Sequence, residues 1–409
     1  MTNPDRPMRL LMSADTARHL GAELSRRRLF GIAGSAALAA FLASCGDDDD
    51  DDAGPSSTSA GASDTASGTA TVPAQTGGDS SANSFKLYTW AEYDDPDVMS
   101  EFGDIEVTIF NSNEEAIQKL VTAGGNAGFD VMCPTGVYIP QLVGEDLLEP
   151  LDLSRIPNFA NLEAAYTNQP WDPGNKYSVC KDFGSTGWIY DTTQISTEIN
   201  TWADFIDVAM NEASGNVSVL DTAPDLCGIY FWANDIDWNT TDPAQLSACE
   251  DFMVNEFASH IKAFDSFPGI NLAQGNYALS QIFNGDARQG LISIDDSGGD
   301  SSVYKWVLGA PATEIWMDNW VILKGAANVD AAYNFINYIL DPAISAREIA
   351  FHGYSTGVKG SREQLPADAP YLDLVYFTEE ETARMKSGSL DNQEAIVDIY
   401  NKVKAAAGA

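Results

Sequence analysis

The sequence predicts an α/β protein of two lobes, and three observations carry that prediction. Strand and helix periodicities alternate along the chain. Polar and aromatic residues cluster where the predicted strands end. The stretch from Phe85 to Ala409, about 325 residues, is long enough for two separate cores. Phe85–Trp90 alternates as a strand does, and Ile105–Phe110 is a second such run. Asn111-Ser112-Asn113 followed by Glu114-Glu115 is a helix-start signature. Ile117, Leu120 and Val121 then form an apolar face that Gly124-Gly125 ends, and Phe129–Cys133 reads as a buried strand. Strand, helix and strand in this order make a βαβ unit in a parallel sheet. The pattern returns at Thr201-Trp202-Ala203-Asp204, a capping-box sequence ahead of Phe205, Ile206 and Ala209. It returns again in the strand run Asn216–Leu220 and in apolar helix faces at Phe335, Ile336, Ile339 and at Ile396, Ile399, Tyr400, Val403. In open α/β sheets ligands bind beyond the carboxyl ends of strands. Trp90–Tyr93, Pro134-Thr135-Gly136 and Leu220-Asp221-Thr222 all lie at such ends.

Residues 1–45 read as an export address. Arg26 and Arg27 belong to a twin-arginine pattern, Ser25-Arg26-Arg27-Arg28-Leu29-Phe30, with general secretion as the alternative route. Leu29–Ala43 is an uncharged run of 15 residues, too short to favour a membrane span and suited to a signal sequence. It ends in Leu42-Ala43-Ser44-Cys45-Gly46, which looks like a bacterial lipobox with Cys45 as the lipidated residue. Residues 46–84 read as a disordered tether: six consecutive acids from Asp47 to Asp52, then mostly Ser, Thr, Ala and Gly.

The chain holds 22 Lys and Arg against 60 Asp and Glu. Setting aside residues 1–44 leaves 16 against 57, a net charge of −41. That charge argues against nucleic acid and anionic lipid as partners and favours cationic ligands. Cys133, Cys180, Cys227 and Cys249 follow Cys45. In an exported chain they permit two disulfides in three connectivities, and Cys133–Cys180 with Cys227–Cys249 is the expected pairing. Only His260 and His352 remain after the leader and no CxxC pair is present, so neither a metal nor a cofactor is implied.

The run Glu314-Ile315-Trp316-Met317-Asp318-Asn319-Trp320, continuing through Val321-Ile322-Leu323, reads as a strand. Alternation places Trp316, Asp318 and Trp320 on one face, and two indoles beside a carboxylate suit an organic ammonium.

At these residues the sequence resembles the spermidine/putrescine-binding proteins of ABC importers. Six segments follow that family's order: Tyr88–Tyr93, Phe129–Thr135, Thr201–Asp204, Asn239–Pro243, Trp316-Met317-Asp318 and Gly353–Thr356. The resemblance implies a type II periplasmic-binding-protein-like fold. Each lobe would be a mostly parallel sheet flanked by helices, with the ligand cleft between lobes. Residues 85–187 plus 319–367 would form lobe 1, and 188–318 plus 368–409 lobe 2. Gly184–Tyr190 would be the second crossing beside the Trp316 strand.

The resemblance also implies the binding residues. Trp90, Tyr93 and Trp316 would flank an alkyl chain. Thr135 and Tyr354 would add contacts, and Asp318 would pair with one ammonium. At the far end Thr222 and Asp225 align with a pair of acids, with Asp221 adjacent. Val137 and Ser293 stand where that family has aromatic rings, and Asp391 aligns with a glutamine. Asp295 would share a face with Ser293 if that segment is a strand. The implied function is capture of a polyamine by an exported, lipid-anchored monomer that docks on an ABC permease. A binding protein for another amine, a sugar, a peptide or ferric ion is the chief alternative, and a sensory or adhesive lipoprotein is another. An enzyme is disfavoured, because no G-x-S-x-G motif and no Cys/His couple is present.

Overall fold

The computed structural model describes residues 83–408. The export signal with Arg26 and Arg27, the lipobox Cys45 and nearly all of the tether lie outside the described residues.

Two sheets organise the chain. The first contains β1 (Ser84–Thr89), β2 (Asp104–Ile109), β3 (Val131–Met132), β4 (Ser178–Gly184), β10 (Thr313–Ile322) and β11 (Met385–Ser387). The second contains β5 (Thr186–Asp191), β6 (Val217–Leu220), β7 (Ile261–Asp265), β8 (Leu279–Phe283) and β9 (Tyr304–Leu308), in the order β7-β6-β8-β5-β9. β1 runs parallel to β2 and β3, as the βαβ reading requires, and the intervening helix is Asn113–Ala123. β6 runs parallel to both β7 and β8. β10 is antiparallel to β3 and β4, and β5 is antiparallel to β8 and β9.

Each sheet has its own core. Phe85, Leu87, Val131, Trp320, Phe335 and Ile336 pack in the first lobe. Trp188, Trp202, Phe205, Trp232, Ile399 and Val403 pack in the second. The capping box at Thr201 and Asp204 forms and starts the helix Trp202–Met210, whose buried face is Trp202, Phe205, Val208 and Ala209. Burying a large apolar side chain contributes about 1.5–3 kcal/mol, so these faces dominate each lobe's stability.

The chain passes between sheets at two neighbouring places. β4 lies in the first sheet and β5 in the second, with the buried Ser185 between them. β10 begins beside the second lobe, where Thr313 Oγ1 donates to Thr186 O at 2.6 Å, and then pairs with β4 from Trp316 onward. Ser185 Oγ donates to Glu314 O at 2.6 Å and ties the two passages together. Gly184 is required there: a Cβ would lie 2.4 Å from the Trp316 indole.

The expected disulfides are absent. Cys133, Cys180, Cys227 and Cys249 are all buried free thiols. β10 runs between the strands that carry the first pair, since Met132 pairs with Val321 and Cys180 with Asn319. Two strand spacings, roughly 9–10 Å, exceed what a disulfide can bridge. Cys227 and Cys249 sit on adjoining helices with their thiols in contact, and the Cys249 hydrogen bond, with burial after it, pushes the Cys227 thiol well up.

Candidate functional site

A cleft of about 1080 Å³ opens between the two sheets. Its walls are the carboxyl ends of strands, in keeping with the rule for open α/β sheets. Trp90 follows β1, Asn111 follows β2 and Thr135 follows β3 on one side; Asp221, Asp265 and Phe283 mark the ends of β6, β7 and β8 on the other.

Asp318 is the acid of the first wall. It is 5% exposed, on β10 opposite Asp182. Tyr93 Oη lies 2.9 Å from Asp318 Oδ2 and also against Asp182 Oδ1. Thr135 bridges to the backbone of Asp318, and its hydroxyl bonds the same carboxyl. Asp318 Oδ1 has no protein partner and faces the cleft. Burial first and the Asp182 charge second push the carboxyl up to about 7, against the Thr135 and Tyr93 hydrogen bonds and the Lys181 charge.

Behind Asp318 lies an ammonium supplied by the protein. Lys181 Nζ is 2.9 Å from Asp182 Oδ2 and 3.5 Å from Asp94 Oδ1. It sits 3.7 Å from the centre of the Tyr93 ring and 5.3 Å from that of Trp320. Trp320 was expected in the ligand site. It is instead fully buried, packs edge-on against Phe335 at 5.2 Å and faces Lys181. Tyr93 likewise differs from a simple clamp for an alkyl chain. One ring face already covers Lys181, and its hydroxyl orients the acids.

Asp225 is the acid of the second wall, in the first turn of the helix Ala223–Ala233 that Thr222 caps. Thr222 Oγ1 donates to Asp225 Oδ2, and Thr186 Oγ1 lies 2.7 Å from Asp225 Oδ1 and 2.6 Å from Glu314 Oε1. Glu314 and Asp225 are close enough to share a proton. Burial, together with the neighbouring Asp225 charge, holds the Glu314 carboxyl well above the usual range. Glu314 went unassigned in the sequence reading although its parity signals it: Glu314, Trp316 and Asp318 alternate on one strand face.

Aromatic side chains line the space between these acids. Trp316 meets Tyr354 edge-on at 4.8 Å and Phe283 at 5.8 Å. Trp90 packs on Phe110 at 4.4 Å. Trp171 joins them because Gly136 has no side chain; a Cβ there would lie 2.3 Å from the indole. Ser293 stands in the helix Asn284–Asp296, not in a strand, and lines the cleft as an exposed residue. Phe283, at the end of β8, places a ring in the cleft beside Trp316. In the helix Asp295 does not share the cleft with Ser293, and it accepts a hydrogen bond from Tyr371 at 2.6 Å. Val137 lines the cleft beside Trp171.

Asp391 is exposed and is not among the cleft residues. Two positions on, Gln393 reaches the cleft at the start of the last helix, and its Nε2 donates to Glu114 Oε1 at 2.6 Å. Asp391 thus stays outside the cleft while Gln393 lines it. The Gln393 bond joins the last helix to the first lobe and closes one edge of the cleft.

The summed chemistry is one-sided. Glu92, Glu114, Asp221, Asp225, Asp265, Asp286, Glu314 and Asp318 line the cleft, and no Lys or Arg does so among the described residues.

The model of the bacterial extracellular solute-binding protein family matches residues 97–371. The spermidine/putrescine-binding periplasmic protein 1 of Haemophilus influenzae is 27% identical over 297 residues, 71% of this chain and 79% of that protein. The spermidine/putrescine-binding periplasmic protein of Escherichia coli is 26% identical over 338 residues, 79% of this chain and 92% of its own. A putative spermidine/putrescine ABC transporter structure from Listeria monocytogenes superposes with a TM-score of 0.70 at 25% identity, covering 80% of this chain and 99% of that one. The substrate-binding protein of the spermidine/putrescine ABC transporter of Streptococcus pneumoniae gives 0.65 at 26% identity, with 80% and 99% covered. With two sheets facing one cleft and a family model matched over most of the described residues, the chain belongs to the bacterial extracellular solute-binding proteins.

Proposed function

We propose that this protein captures an aliphatic polyamine of the spermidine/putrescine kind in the cleft and delivers it to an ABC permease. The observation that carries the reading is the lining: eight carboxyl side chains, aromatic faces between them and no Lys or Arg among the described residues. A flexible polyamine is strongly hydrated, and binding must replace that water and order the chain. Asp318 anchors one ammonium through its free Oδ1, and the Asp225–Glu314 pair, held by Thr186 and Thr222, anchors another. Trp90, Trp316 and Phe283 cover the methylenes between them. Contacts to both lobes are made together only in the closed form, so ligand favours closure by its differential affinity. The names of the relatives support this reading.

The cleft serves binding and not catalysis in this reading: its polar groups are carboxyls, hydroxyls, amides and the His352 imidazole, which burial holds neutral, with no activated nucleophile beside it. A neutral sugar gains nothing from this many buried acids. A ferric site needs converging ligands, and among the described residues no group of three or more His, Cys, Asp or Glu is placed to hold a metal ion. Export through the Arg26-Arg27 signal and lipid attachment at Cys45 would hold the protein, as a monomer, on the outer face of the cytoplasmic membrane or in the periplasm.

Thermal unfolding with a panel of diamines, triamines, tetramines, quaternary amines, amino acids and sugars tests the proposal. Ligand at 100 to 1,000 times its dissociation constant stabilises by about 2.7–4.1 kcal/mol. A shift with the polyamines is the expected result. A flat response to every amine, with a shift from a neutral ligand, overturns it.

A further inference from the structure

Asp265 and Asp286 are two of the cleft acids that take no part in a grip between Asp318 and Asp225. Asp265 ends β7, the edge strand of the second lobe, and is 4% exposed. Its Oδ1 accepts from Phe267 N at 2.9 Å and from Asn271 Nδ2 at 2.8 Å. Its Oδ2 is buried, lines the cleft and has no partner in the protein. An unpaired buried carboxylate oxygen is costly unless a ligand satisfies it.

Asp286 stands beside it in the first turn of the helix Asn284–Asp296. Phe267-Pro268-Gly269 connects the two: Phe267 N binds Asp265, and Gly269 packs so closely on Asp286 that a Cβ would lie 2.8 Å from its carbonyl oxygen. Tyr354 Oη, from the opposite side of the cleft, donates to Asp286 Oδ2 at 2.6 Å. Asp265 and Glu92 both act on Asp286 electrostatically, and burial comes first in lifting its carboxyl to about 6. Of the neighbouring acids, Asp221 already has a cation, with Lys404 Nζ at 2.7 Å. Asp265 and Asp286 have none.

The geometry points to a third cation subsite at Asp265 and Asp286, which takes an additional ammonium of a ligand carrying at least three positive charges. This rests on the polyamine reading of the cleft and extends it. Asp318 and the Asp225–Glu314 pair hold two ammonium groups, as a diamine offers, and the free Oδ2 of Asp265 receives the next. The protein therefore ranks triamines and tetramines above diamines. The selectivity resides in the second lobe, off the crossing strand.

Calorimetry of the purified protein with putrescine, spermidine and spermine tests this, using wild type, Asp265→Asn and Asp286→Asn. Asparagine keeps an acceptor for Phe267 N and removes the charge. The expected result is spermidine bound at least tenfold more tightly than putrescine by wild type. Asp265→Asn should lose that tenfold while putrescine affinity stays within twofold, which also shows that the variant is folded. Asp286→Asn should lower the spermidine-over-putrescine preference in the same direction, independently of any damage at β7. If both variants keep the wild-type ratio, or weaken both amines equally, the subsite is overturned and the polyamine reading stands. If wild type binds none of the three amines, the polyamine reading fails and the subsite fails with it.

Discussion

The two acid centres of the cleft keep their carboxyls buried in different ways. At the Asp318 end the protein supplies its own cation: Lys181, buried and raised by Asp182 and Asp94 against the cost of burial, stands behind the acids. At the Asp225 end no cation stands among the described residues, and Asp225 and Glu314 lie together over the Thr186 hydroxyl. There a shared proton replaces the cation. The difference teaches that one acidic cleft can hold a permanent internal ion pair at one end and a proton-sharing pair at the other. Both ends must be ionised to meet a ligand ammonium with full charge, and at the second two neighbouring carboxyls are raised together.

The largest test of this contrast removes the cation. Lys181→Met leaves Asp182 and Asp94 without their counter-charge, and breaking a buried pair costs about 3–5 kcal/mol. Chemical denaturation should show a loss of that size; a loss below about 1 kcal/mol would mean the ammonium is dispensable and the contrast false. Next is Asp318→Ala, which should weaken polyamine binding by about 2 kcal/mol or more, roughly thirtyfold, as expected for a buried charge-assisted contact. Unchanged calorimetric affinity would remove Asp318 from the ligand.

The pH dependence sharpens the comparison. Asp318 titrates at about 7 in the folded protein and near 3.9 in an unfolded chain. The ionised form holds the cation, so affinity should rise as pH rises through 7 and fall by up to tenfold per unit below it. Ligand-free stability should run the other way. A carboxyl raised by folding contributes stability that is fully present below about pH 4 and is lost as pH rises through 7. Glu314 and Asp225 are raised as well and add the same sign. Affinity and ligand-free melting temperature measured from pH 5 to 8 should therefore diverge; parallel trends would contradict the assignment. The smallest effect is expected from Glu314→Gln. The glutamine still reaches Thr186 and no longer competes with Asp225 for a proton, so unfolding free energy should stay within about 1 kcal/mol of wild type. A larger loss would show that the two carboxyls support the fold and not the ligand.

Much of the site was legible because it lies on regular elements. Alternation placed Trp316 and Asp318 on one face of β10, and the ends of β1, β3 and β6 delivered Trp90, Thr135 and Thr222 to the cleft. Errors arose where periodicity does not operate. Asp391 and Gln393 flank the start of a helix after an irregular stretch, and register there rests on tertiary contacts to Glu114 and Trp238. Asp295 shares a face with Ser293 only in a strand, and the segment is a helix, so Asp295 leaves the cleft. Trp320 satisfied the alternation rule and still left the site, because the sheet face that is cleft at Asp318 is core two residues later.

The sequence by itself determined the α/β class, the apolar faces and the strand ends, since each follows from local periodicity and from capping. It also determined the excess of acids, which excludes some partners without placing any charge. Only the tertiary structure decided which acids meet: that Lys181 neutralises Asp182 and Asp94, that Glu314 shares with Asp225, and that Asp265 keeps a free buried oxygen. The physical reason is distance. Charge interactions in a desolvated cleft depend on separations of a few ångströms between residues far apart in the chain, and no local rule reports those.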